Sequence, residues 1–587
     1  MLKKFFISML GTMAGIWVSL LLLIFAGIMF AGAMLSSSSE TTVSIQKNSI
    51  LHFKLNGEVA DRYQPASFIS LIQMEESNTP TLEEMLTSLR LAASDKNIKG
   101  LYLEFNGSAM GTASREELLE GIAEFKKSGK WVYAYSDNYS QGEYLLATTA
   151  DTIALNPVGS IDIHGVGGTV PFYTGLLNKL GVKMQIIKVG TYKSAVEPYI
   201  LDKISEPARH QMQQYCDTIW NFVSQTIATN RNMPESTVRE LASQMIFTQP
   251  AGYFVPALAD TLLYGREVSP ILAVNSGLDA DKDPRFITPQ DYLAEKEALA
   301  SLDARQTHIA VLYALGEISD SGDEGIVGPK MVAEITDLAD DDNVAGMVLR
   351  VNSPGGSAFA SEQIWSALEY FKSQGKPLYV SMADYAASGG YYISCGADSI
   401  FADRTTITGS IGVFGMIPDL SGLVTDKLGI TFSTVETNPN CAPLSGIKAM
   451  TPEQLGAMQK SVENIYDLFT SRVAQGRNMS QDEVKEIAEG RVWIGSDALQ
   501  LGLVDRLGSL QTALEAMADT TGLSASDYRS YPSFEEKIWE QLLRSNLSLK
   551  ALKAAEYDLE SLRYINIVRK LREASPVQAR MYDVTIE

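Results

Sequence analysis

Residues 346–357 have the sequence GMVLRVNSPGGS, and the fold class follows from this stretch and its neighbours. Its first six residues form a short apolar run containing β-branched side chains, which is typical of a buried strand. Its last six residues form a glycine-rich turn. Apolar residues then recur at helical spacing over residues 361–373, and residues 377–382 form a second strand candidate. A strand, a helix and a strand joined by short loops predict βαβ units, a mostly parallel sheet and hence an α/β fold.

The same pattern occurs twice along the chain. Four short segments recur in the same order at offsets of 246, 247, 248 and 246 residues: 97–101 with 343–347, 150–153 with 397–400, 180–182 with 428–430, and 231–233 with 477–479. Each match alone is weak. Four matches in order at a nearly constant offset predict the tandem duplication of a domain of roughly 200–250 residues, an ordinary domain size.

The duplication divides the chain into five predicted parts. They are a membrane anchor at 1–45, a first repeat domain at 46–285, a connector at 286–306, a second repeat domain at 307–531 and a C-terminal helical arm at 532–587. The arm has no counterpart in the first copy, and its apolar residues recur at helical spacing over 534–573 with basic residues among them. We expect it to pack on a neighbouring subunit or domain, with a membrane surface as the alternative.

The N-terminus has the pattern of a membrane span. Lys3 and Lys4 precede an uncharged, largely apolar run at residues 5–35, and a span needs about 20 residues. A cleaved secretory signal has an apolar stretch of only about 7–15 residues, although residues 31–33 (AGA) resemble a cleavage site. We therefore expect a retained helix. Because the lysines precede it and none follows closely, the N-terminus is expected in the cytoplasm and the remaining chain outside it.

Composition narrows the classes of function. The chain has 587 residues, of which 45% are hydrophobic and 20% charged, as in a globular protein. The net charge of −22 argues against binding to nucleic acid, which requires a basic surface. Three cysteines cannot form a disulfide framework, and no metal-binding spacing occurs among the cysteines or the four histidines. We therefore predict no cofactor and no metal, and the scarcity of histidine disfavours a Ser-His-Asp enzyme.

Two glycine-rich turns of the second copy could carry chemistry. The turn at 352–357 offers backbone N–H groups at Gly355 and Gly356, and donors aimed at one point make an oxyanion hole. The turn at 386–391 places Ser388 between a strand and a helical stretch, where its hydroxyl would be exposed. Both could also be simple tight turns. A serine nucleophile needs a base, and where no histidine is near, a buried lysine with a lowered pKa can serve.

Four motifs resemble those of the signal peptide peptidase A family and follow the family's order. They are YKSAVEP at 192–198, VNSPGGS at 351–357, ASGGY at 387–391 and TGSIG at 408–412. The resemblance extends from the anchor to about residue 507. It implies a fold similar to the Clp protease proteolytic subunit and the crotonases, with repeated ββα units. It also implies a set of site residues: Ser388 as nucleophile, Lys193 as general base, Ser410 as the hydroxyl that orients the lysine, and the amides of Gly355 and Gly389 as the oxyanion hole.

The repeat gives a separate expectation about this site. Ser388 aligns with Gln141 of the first copy, and Lys193 aligns with Cys441 of the second, for which a buried thiol is the simplest role. The first copy thus keeps the lysine and the second keeps the serine, whereas in short family members both come from a single copy. We expect one dyad to form across the two domains, and each copy alone to be inert.

The resemblance implies a membrane-anchored serine endopeptidase that degrades remnant signal peptides and other apolar peptides. It further implies a homo-oligomer, a tetramer, that crosses the bacterial inner membrane once and holds its catalytic domains on the periplasmic side. Two other classes stay open. A crotonase-type enzyme acting on acyl-CoA would share the fold without needing Lys193, and a membrane scaffold would have no catalytic site. Reaction with a serine-directed probe would distinguish the three.

Overall fold

Strands and helices alternate along both halves of the chain. A computed structural model describes residues 45–63, 79–244, 258–299, 306–433, 435, 437–438, 446–447, 449–532 and 577–580. The strands in these ranges are β1 (Ser49–Glu58), β2 (Ile98–Ala109), β3 (Trp131–Ser136), β4 (Thr152–Leu155), β5 (Lys183–Val189), β6 (Thr261–Leu262), β7 (Arg285–Ile287), β8 (His308–Leu315), β9 (Ile318–Ser319), β10 (Ile326–Val327), β11 (Val344–Ser353), β12 (Gly355–Ser357), β13 (Leu378–Ala387), β14 (Ser399–Ala402), β15 (Ile407–Gly409), β16 (Val413–Asp419), β17 (Val492–Ile494), β18 (Arg506–Leu507), β19 (Tyr528–Tyr531) and β20 (Val577–Arg580).

The α-helices of the same residues connect and cover these strands. They are α1 (Leu82–Ser94), α2 (Thr112–Lys126), α3 (Gln141–Ala147), α4 (Thr174–Leu180), α5 (Glu197–Ile200), α6 (Glu206–Asn230), α7 (Glu235–Ser243), α8 (Gly265–Asn275), α9 (Pro289–Leu299), α10 (Gly328–Asp340), α11 (Ala358–Ser373), α12 (Gly389–Ser394), α13 (Pro452–Arg477), α14 (Gln481–Ile487), α15 (Gly495–Gln500) and α16 (Leu510–Thr521). A 3₁₀ turn at Ser194–Val196 and a π-helical turn at Gly422–Lys427 complete the set.

Six strands of the first half form a parallel sheet in the order β6–β4–β3–β2–β1–β7. A parallel strand covered on both faces is expected to be almost continuously apolar. Strand β3, with the sequence WVYAYS, is buried at every position after the first. The hydrophobic core of this half lies between the sheet and its helices.

The second half repeats this topology. Its path β18–β14–β13–β11–β8–β19 has the same order, and β15 and β17 are added beside β13. Individual hydrogen bonds recur as well: the Tyr144 hydroxyl donates to the Leu258 carbonyl at 2.8 Å, and the Tyr391 hydroxyl donates to the Leu503 carbonyl at 2.9 Å. The two tyrosines lie one repeat length apart in the sequence. The predicted α/β class and tandem duplication are confirmed, and the five domain boundaries stay predictions.

A third sheet joins the two halves. Its order is β10–β9–β12–β20–β16–β5, and β5 of the first half pairs antiparallel with β16 of the second, from Val189 opposite Val413 to Lys183 opposite Asp419. Strand β5 ends shortly before Lys193 in the sequence, and β16 begins shortly after Ser410. The antiparallel pairing therefore brings segments that are distant in the sequence to the same end of the sheet.

A buried charge network lies between the halves. Arg350 on β11 is 1% exposed and donates to Glu117 at 2.5 Å and to Asp61 at 3.2 Å. Asn352 also donates to Asp61, at 2.9 Å. Both carboxylates belong to the first half, whereas Arg350 and Asn352 belong to the second. Removing one partner would leave a charge buried and unpaired, so this network strongly favours one relative placement of the two halves.

Helix α2 is capped by a residue of the other half. Its N-cap residue is Gly111, which has no side chain to accept a hydrogen bond. The Asp384 carboxylate on β13 accepts from the backbone N–H groups of Ala113 and Ser114 at 2.9 and 3.1 Å instead. A Cβ atom on Gly111 would lie 2.0 Å from the Asp384 carboxyl carbon. Glycine is therefore required at residue 111 so that Asp384 can reach the first turn of the helix.

Helix starts follow the capping chemistry of the sequence. The sequence TPEQ at 451–454 has the pattern of a capping box, and both of its hydrogen bonds form: Thr451 Oγ1 accepts from the Gln454 N–H at 3.2 Å, and Gln454 Oε1 accepts from the Thr451 N–H at 3.0 Å. The helix predicted from residue 361 begins earlier, at Ala358, because the Ser357 side chain caps it by accepting from the Ala360 N–H at 3.2 Å.

Two predicted elements fall outside the described residues. These are the apolar run at 5–35 and the helical pattern at 534–573. In the described ranges, no helix is both long and apolar enough to cross a membrane. Within the predicted C-terminal arm, residues 577–580 form a strand rather than a helix. They follow Pro576, which cannot donate a backbone hydrogen bond and disfavours helical continuation.

Candidate active site

Ser388 lies in the turn between β13 and α12, with φ of 56° and ψ of −113°. A non-glycine residue at positive φ is strained and persists only where its surroundings hold it. The Ser388 N–H donates to the Gly409 carbonyl at 2.8 Å, and the Ser388 carbonyl accepts from the Tyr392 N–H at 2.8 Å. The prediction that its hydroxyl is exposed is wrong: Ser388 is 0% exposed. The buried Lys193 side chain lies against its hydroxyl.

The two glycine-rich turns pack directly on each other. A Cβ atom on Gly390 would lie 2.8 Å from the Ser353 carbonyl oxygen. A side chain at residue 390 would therefore push the Ser388 turn away from the turn at 352–357. The close approach explains why residue 390 is glycine.

Lys193 reaches Ser388 from the first half of the chain. It follows β5, is 2% exposed, and its Nζ lies 2.8 Å from Ser388 Oγ. Nζ also lies 3.0 Å from Ser410 Oγ and 3.1 Å from the Ser410 carbonyl oxygen. Burial lowers the pKa of Lys193 from its ordinary value of 10.5 to about 7. The neutral amine is therefore well populated near neutral pH.

Ser410 lies between the lysine and the body of the second half. Its backbone has φ of 51°, and its N–H donates to the Arg491 carbonyl at 2.7 Å. Its hydroxyl donates to the Gly490 carbonyl at 3.4 Å. The two Ser410 oxygens that contact Lys193 therefore belong to a residue that is fixed by hydrogen bonds from its N–H and its hydroxyl.

The glycines predicted for an oxyanion hole lie on the two turns. Gly355 and Gly356 begin β12, and the Gly355 N–H donates to Ser353 Oγ at 3.2 Å. A Cβ atom on Gly356 would lie 2.0 Å from the Ile318 carbonyl oxygen, so β12 can pair with β9 only if residue 356 is glycine. Gly389 is the first residue of α12, and the N–H of a first helical residue has no acceptor within its helix.

A turn at residues 489–491 contacts both Lys193 and Ser410, and sequence reasoning missed it. The Glu489 carboxylate accepts from the Thr191 N–H at 3.0 Å and from the Thr191 hydroxyl at 2.6 Å. The Glu489 carbonyl accepts from the Tyr192 N–H at 2.9 Å. A Cβ atom on Gly490 would lie 2.8 Å from Lys193 Cβ. The turn contacts residues 80 and 298 positions away in the sequence, so no local sequence signal marked it.

The first-half counterpart of Ser388 has a structural role. Gln141 begins helix α3, and its side-chain oxygen accepts from the N–H groups of His164 and Gly165 at 3.1 and 2.9 Å. Its side-chain nitrogen donates to the Gly165 carbonyl at 2.9 Å. The glutamine therefore holds a neighbouring loop where the second half has its serine. The counterpart of Lys193, Cys441, lies outside the described residues.

Comparison with known proteins first gives the class. The model of a family described as Peptidase family S49 matches residues 124–271 and again residues 370–524, together more than half of the chain. The two matched regions fall in the two repeats. The chain is therefore a peptidase with two copies of the family's domain.

Named relatives agree with this class. The chain is 36% identical to "Protease 4" of Haemophilus influenzae, over 82% of this chain and 80% of the relative. It is 29% identical to "Serine protease SPPA, chloroplastic" of Arabidopsis thaliana, over 80% and 69%. It is 34% identical to "Putative signal peptide peptidase SppA" of Enterococcus faecium, over 38% and 71%. The chain belongs to peptidase family S49, as a serine peptidase of the signal peptide peptidase type, and the family predicted from its motifs is confirmed.

Proposed function

We propose that this protein hydrolyses peptide bonds with Ser388 as nucleophile and Lys193 as general base. The observation that carries the proposal is the 2.8 Å contact between Lys193 Nζ and Ser388 Oγ in a fully buried environment. A base must lie within hydrogen-bond reach of the proton that it removes, and its pKa should lie near the working pH. Lys193 meets both conditions, because burial lowers its pKa to about 7.

The hydrogen bonds around Lys193 fit a neutral amine. A neutral lysine has two N–H donors and one lone pair. The two donors are matched by the carbonyl and hydroxyl oxygens of Ser410, at 3.1 and 3.0 Å. The lone pair then faces Ser388 Oγ and accepts its proton. In this arrangement Ser410 orients the base, and its own hydroxyl proton goes to the Gly490 carbonyl.

The reaction follows the general course of serine acyl transfer. Lys193 takes the Ser388 proton as Oγ attacks the peptide carbonyl carbon. The new bond forms an acyl-enzyme when the C–N bond breaks and Lys193 returns the proton to the leaving amine. Water then attacks the ester, again with Lys193 as base, and Ser388 is regenerated.

The negative charge of the tetrahedral intermediates needs backbone donors. We assign this role to the amides of Gly355 and Gly389, with Gly356 supporting the strand that presents Gly355. The Gly355 N–H donates to Ser353 Oγ in the present structure, at 3.2 Å. Because that acceptor is a neutral hydroxyl, an oxyanion would compete for the same N–H effectively.

The setting of the enzyme is also part of the proposal. Residues 5–35 form a retained membrane anchor, with the N-terminus in the cytoplasm and the catalytic domains on the periplasmic side of the bacterial inner membrane. The substrates are extended, apolar peptides such as remnant signal peptides, and the protein assembles as a homo-oligomer, a tetramer. The fold of each repeat is of the Clp protease and crotonase kind, and a helical arm follows the second repeat.

Variants of the two central residues test the chemistry. Ser388→Ala and Lys193→Met should each abolish cleavage of a fluorogenic apolar peptide while circular dichroism stays unchanged. The matched control is Lys183→Met, which removes an exposed lysine from the same strand region and should keep wild-type turnover. Turnover retained by either central variant would rule out the dyad.

Labelling distinguishes the alternative functions. A fluorophosphonate probe should label wild type at Ser388, as located by mass spectrometry, and should fail to label Ser388→Ala. A crotonase-type enzyme or a scaffold would not react with the probe. The contact with Lys193 favours the peptidase over a crotonase-type reaction, since a crotonase-type site has no need of a buried lysine against a serine.

A further inference from the structure

A small cavity of the second half lies between helix α11, helix α13 and the loop at 395–398. It has a volume of about 220 Å³, and its lining includes Trp365 and Glu369 of α11, Gly396 of the loop and Gly476 of α13. Helix α12 separates this loop from Ser388, and its six residues span about 9 Å at a rise of 1.5 Å per residue. The cavity is therefore a separate place from the proposed catalytic site.

The indole N–H of Trp365 is buried beside this cavity without an acceptor. Trp365 is 7% exposed, and its Nε1 makes no hydrogen bond in the part of the chain that the structure describes. The Arg472 guanidinium lies 3.9 Å from the ring centroid and is itself held by the Glu362 carboxylate at 2.6 Å, so the ring is fixed in its orientation. A buried donor without an acceptor is costly. The cavity therefore favours a ligand that brings an oxygen to Trp365 Nε1.

A carboxylate faces the same point as this N–H. A Cβ atom on Gly396 would lie 2.9 Å from Trp365 Nε1 and 2.9 Å from Glu369 Oε1. Because residue 396 has no side chain, the space in front of both atoms belongs to the cavity. Lys372 donates to Glu369 Oε1 at 3.2 Å and to the Gly396 carbonyl at 2.6 Å, so its ammonium group is already engaged. A donor and a carboxylate thus meet at one small space.

The corresponding place in the first half has no such pair of groups. The lysine contact recurs there, since Lys126 donates to the Thr149 carbonyl at 2.7 Å as Lys372 does to the Gly396 carbonyl. Four positions of the cavity differ between the repeats: Leu119 corresponds to Trp365, Ala123 to Glu369, Thr149 to Gly396 and Asn230 to Gly476. The lysine contact therefore belongs to the repeated fold. The indole, the carboxylate and the two glycines that leave room between them belong to the second repeat alone.

We propose that this cavity binds an α-ammonium group together with the oxygen on the next carbon atom, the chemistry that a free amino acid shares with the N-terminus of a peptide. The oxygen accepts from Trp365 Nε1, and the ammonium donates to the Glu369 carboxylate, whose side chain is 31% exposed and can be reached from solvent. The Asp398 carboxylate also lines the cavity, so two carboxylates and one ammonium surround the ligand and favour a cationic group. This binding does not depend on Ser388.

Isothermal titration calorimetry on the full chain tests the ligand class with three probes. L-Alanine carries the ammonium and a carboxylate, L-alanyl-L-alanine amide carries the ammonium and a peptide carbonyl, and N-acetyl-L-alanine lacks the ammonium. Binding of L-alanine without the dipeptide amide would identify a free amino acid as the ligand, and binding of the dipeptide amide would show that a peptide N-terminus is accepted. No binding of either, or equally tight binding of N-acetyl-L-alanine, would overturn the proposal.

Variants of the two polar side chains test the location. Trp365→Phe removes the N–H and Glu369→Gln removes the charge, and each should raise the Kd of the bound probe at least about tenfold. The matched control is Trp220→Phe, which alters another tryptophan that packs beside an arginine, with Arg239 5.7 Å from its ring centroid. The control should leave the Kd unchanged. Wild-type Kd values in both Trp365→Phe and Glu369→Gln would overturn the proposal.

A further variant and a covalent block complete the test. Gly396→Ala keeps both polar side chains and places a methyl group between them. It should abolish binding, and it gives the same answer if Trp365→Phe does not fold. Treatment of the full chain with the fluorophosphonate should leave the Kd unchanged, because the cavity is separate from Ser388. Loss of binding after this treatment would place the probe at the catalytic site and would overturn the proposal, whereas the proposed peptidase function would stand.

Discussion

Lys193 gains its proposed reactivity from the place in which it is buried. In water a lysine with a pKa of about 10.4 is neutral in only about one molecule in 2500 at pH 7. Burial lowers the pKa of Lys193 to about 7, so the neutral form is no longer rare. Its nearest polar partners are the hydroxyls of Ser388 and Ser410 and the Ser410 carbonyl, and none of them carries a negative charge that would favour the ammonium form.

The pH dependence of peptidase activity follows from this residue. The base must be neutral, so kcat/KM should be low below pH 7 and should rise with pH through an apparent pKa of about 7 to a plateau. The measurement is a kcat/KM profile on a fluorogenic peptide between pH 5 and about 10. A rise in kcat/KM with an apparent pKa near the ordinary lysine value of about 10.4 would contradict a buried base.

At the scale of elements, the site depends on contacts made by backbone turns. Antiparallel pairing of β5 with β16 places the segments of Lys193 and Ser410 side by side. The turn at 489–491 then holds both segments, through the Glu489 carboxylate on Thr191 and the Gly490 carbonyl on Ser410. This turn belongs to the second half, so the base of the first half is held in place by the half that carries the serine.

Glu489 should therefore act as a positioning residue. Glu489→Ala loses two hydrogen bonds to Thr191. Because hydrogen bonds to a charged group contribute about 1.5–3 kcal/mol and this carboxylate is partly exposed, kcat/KM should fall roughly tenfold. Thr191→Val loses only the hydroxyl bond and should have a smaller effect.

The control for this series is the nearby exposed Glu486. Glu486→Ala should leave kcat/KM unchanged. The profile of kcat/KM against pH separates positioning from general stability. A displaced Lys193 should shift the apparent pKa of about 7 at which kcat/KM rises. A loss of folded protein would lower only the plateau value of kcat/KM. An unchanged rate and limb in Glu489→Ala would refute the role.

The cap that Asp384 supplies to helix α2 is a second contact at this scale. Asp384→Ala removes the acceptor of the Ala113 and Ser114 N–H groups, and loss of a cap costs about 0.5–2 kcal/mol. The free energy of unfolding from urea titration should fall by about that amount or more, because the donors are buried. The exposed Asp426 is the control, and Asp426→Ala should change stability by less than about 0.5 kcal/mol. Equal midpoints would contradict the cap.

For the whole molecule, Lys193 and Ser388 meet within one chain. Co-expression of full-length Ser388→Ala with full-length Lys193→Met should therefore yield no peptidase activity, even in mixed oligomers. Turnover is measured per mole of the purified mixture. The positive control is a mixture in which the wild-type chain replaces one of the two variants. Recovery of a substantial fraction of wild-type turnover would mean that the lysine acts on a serine of another subunit.

Sequence patterns predicted those features that depend on neighbouring residues or on repetition. The strands around 346–351, the Thr451 cap and the duplication are of this kind. The motifs singled out Lys193, Ser388 and Ser410, and the structure brings Lys193 Nζ within 3.1 Å of an oxygen of each serine. The turn at 489–491 and the Asp384 cap depend on contacts between residues hundreds of positions apart. Neither has a local sequence signal, and so neither could be predicted from the sequence.

The hydrogen bonds of Gln141 disfavour the return of a serine at this position of the first repeat. The Gln141 amide makes three hydrogen bonds to the loop at 164–165. A serine at residue 141 would lose these bonds and would have no lysine beside it in the same repeat position. An ancestor with two complete sites could lose one component from each copy and survive. Under the proposed mechanism neither repeat could then be lost, because Lys193 lies in one copy and Ser388 in the other.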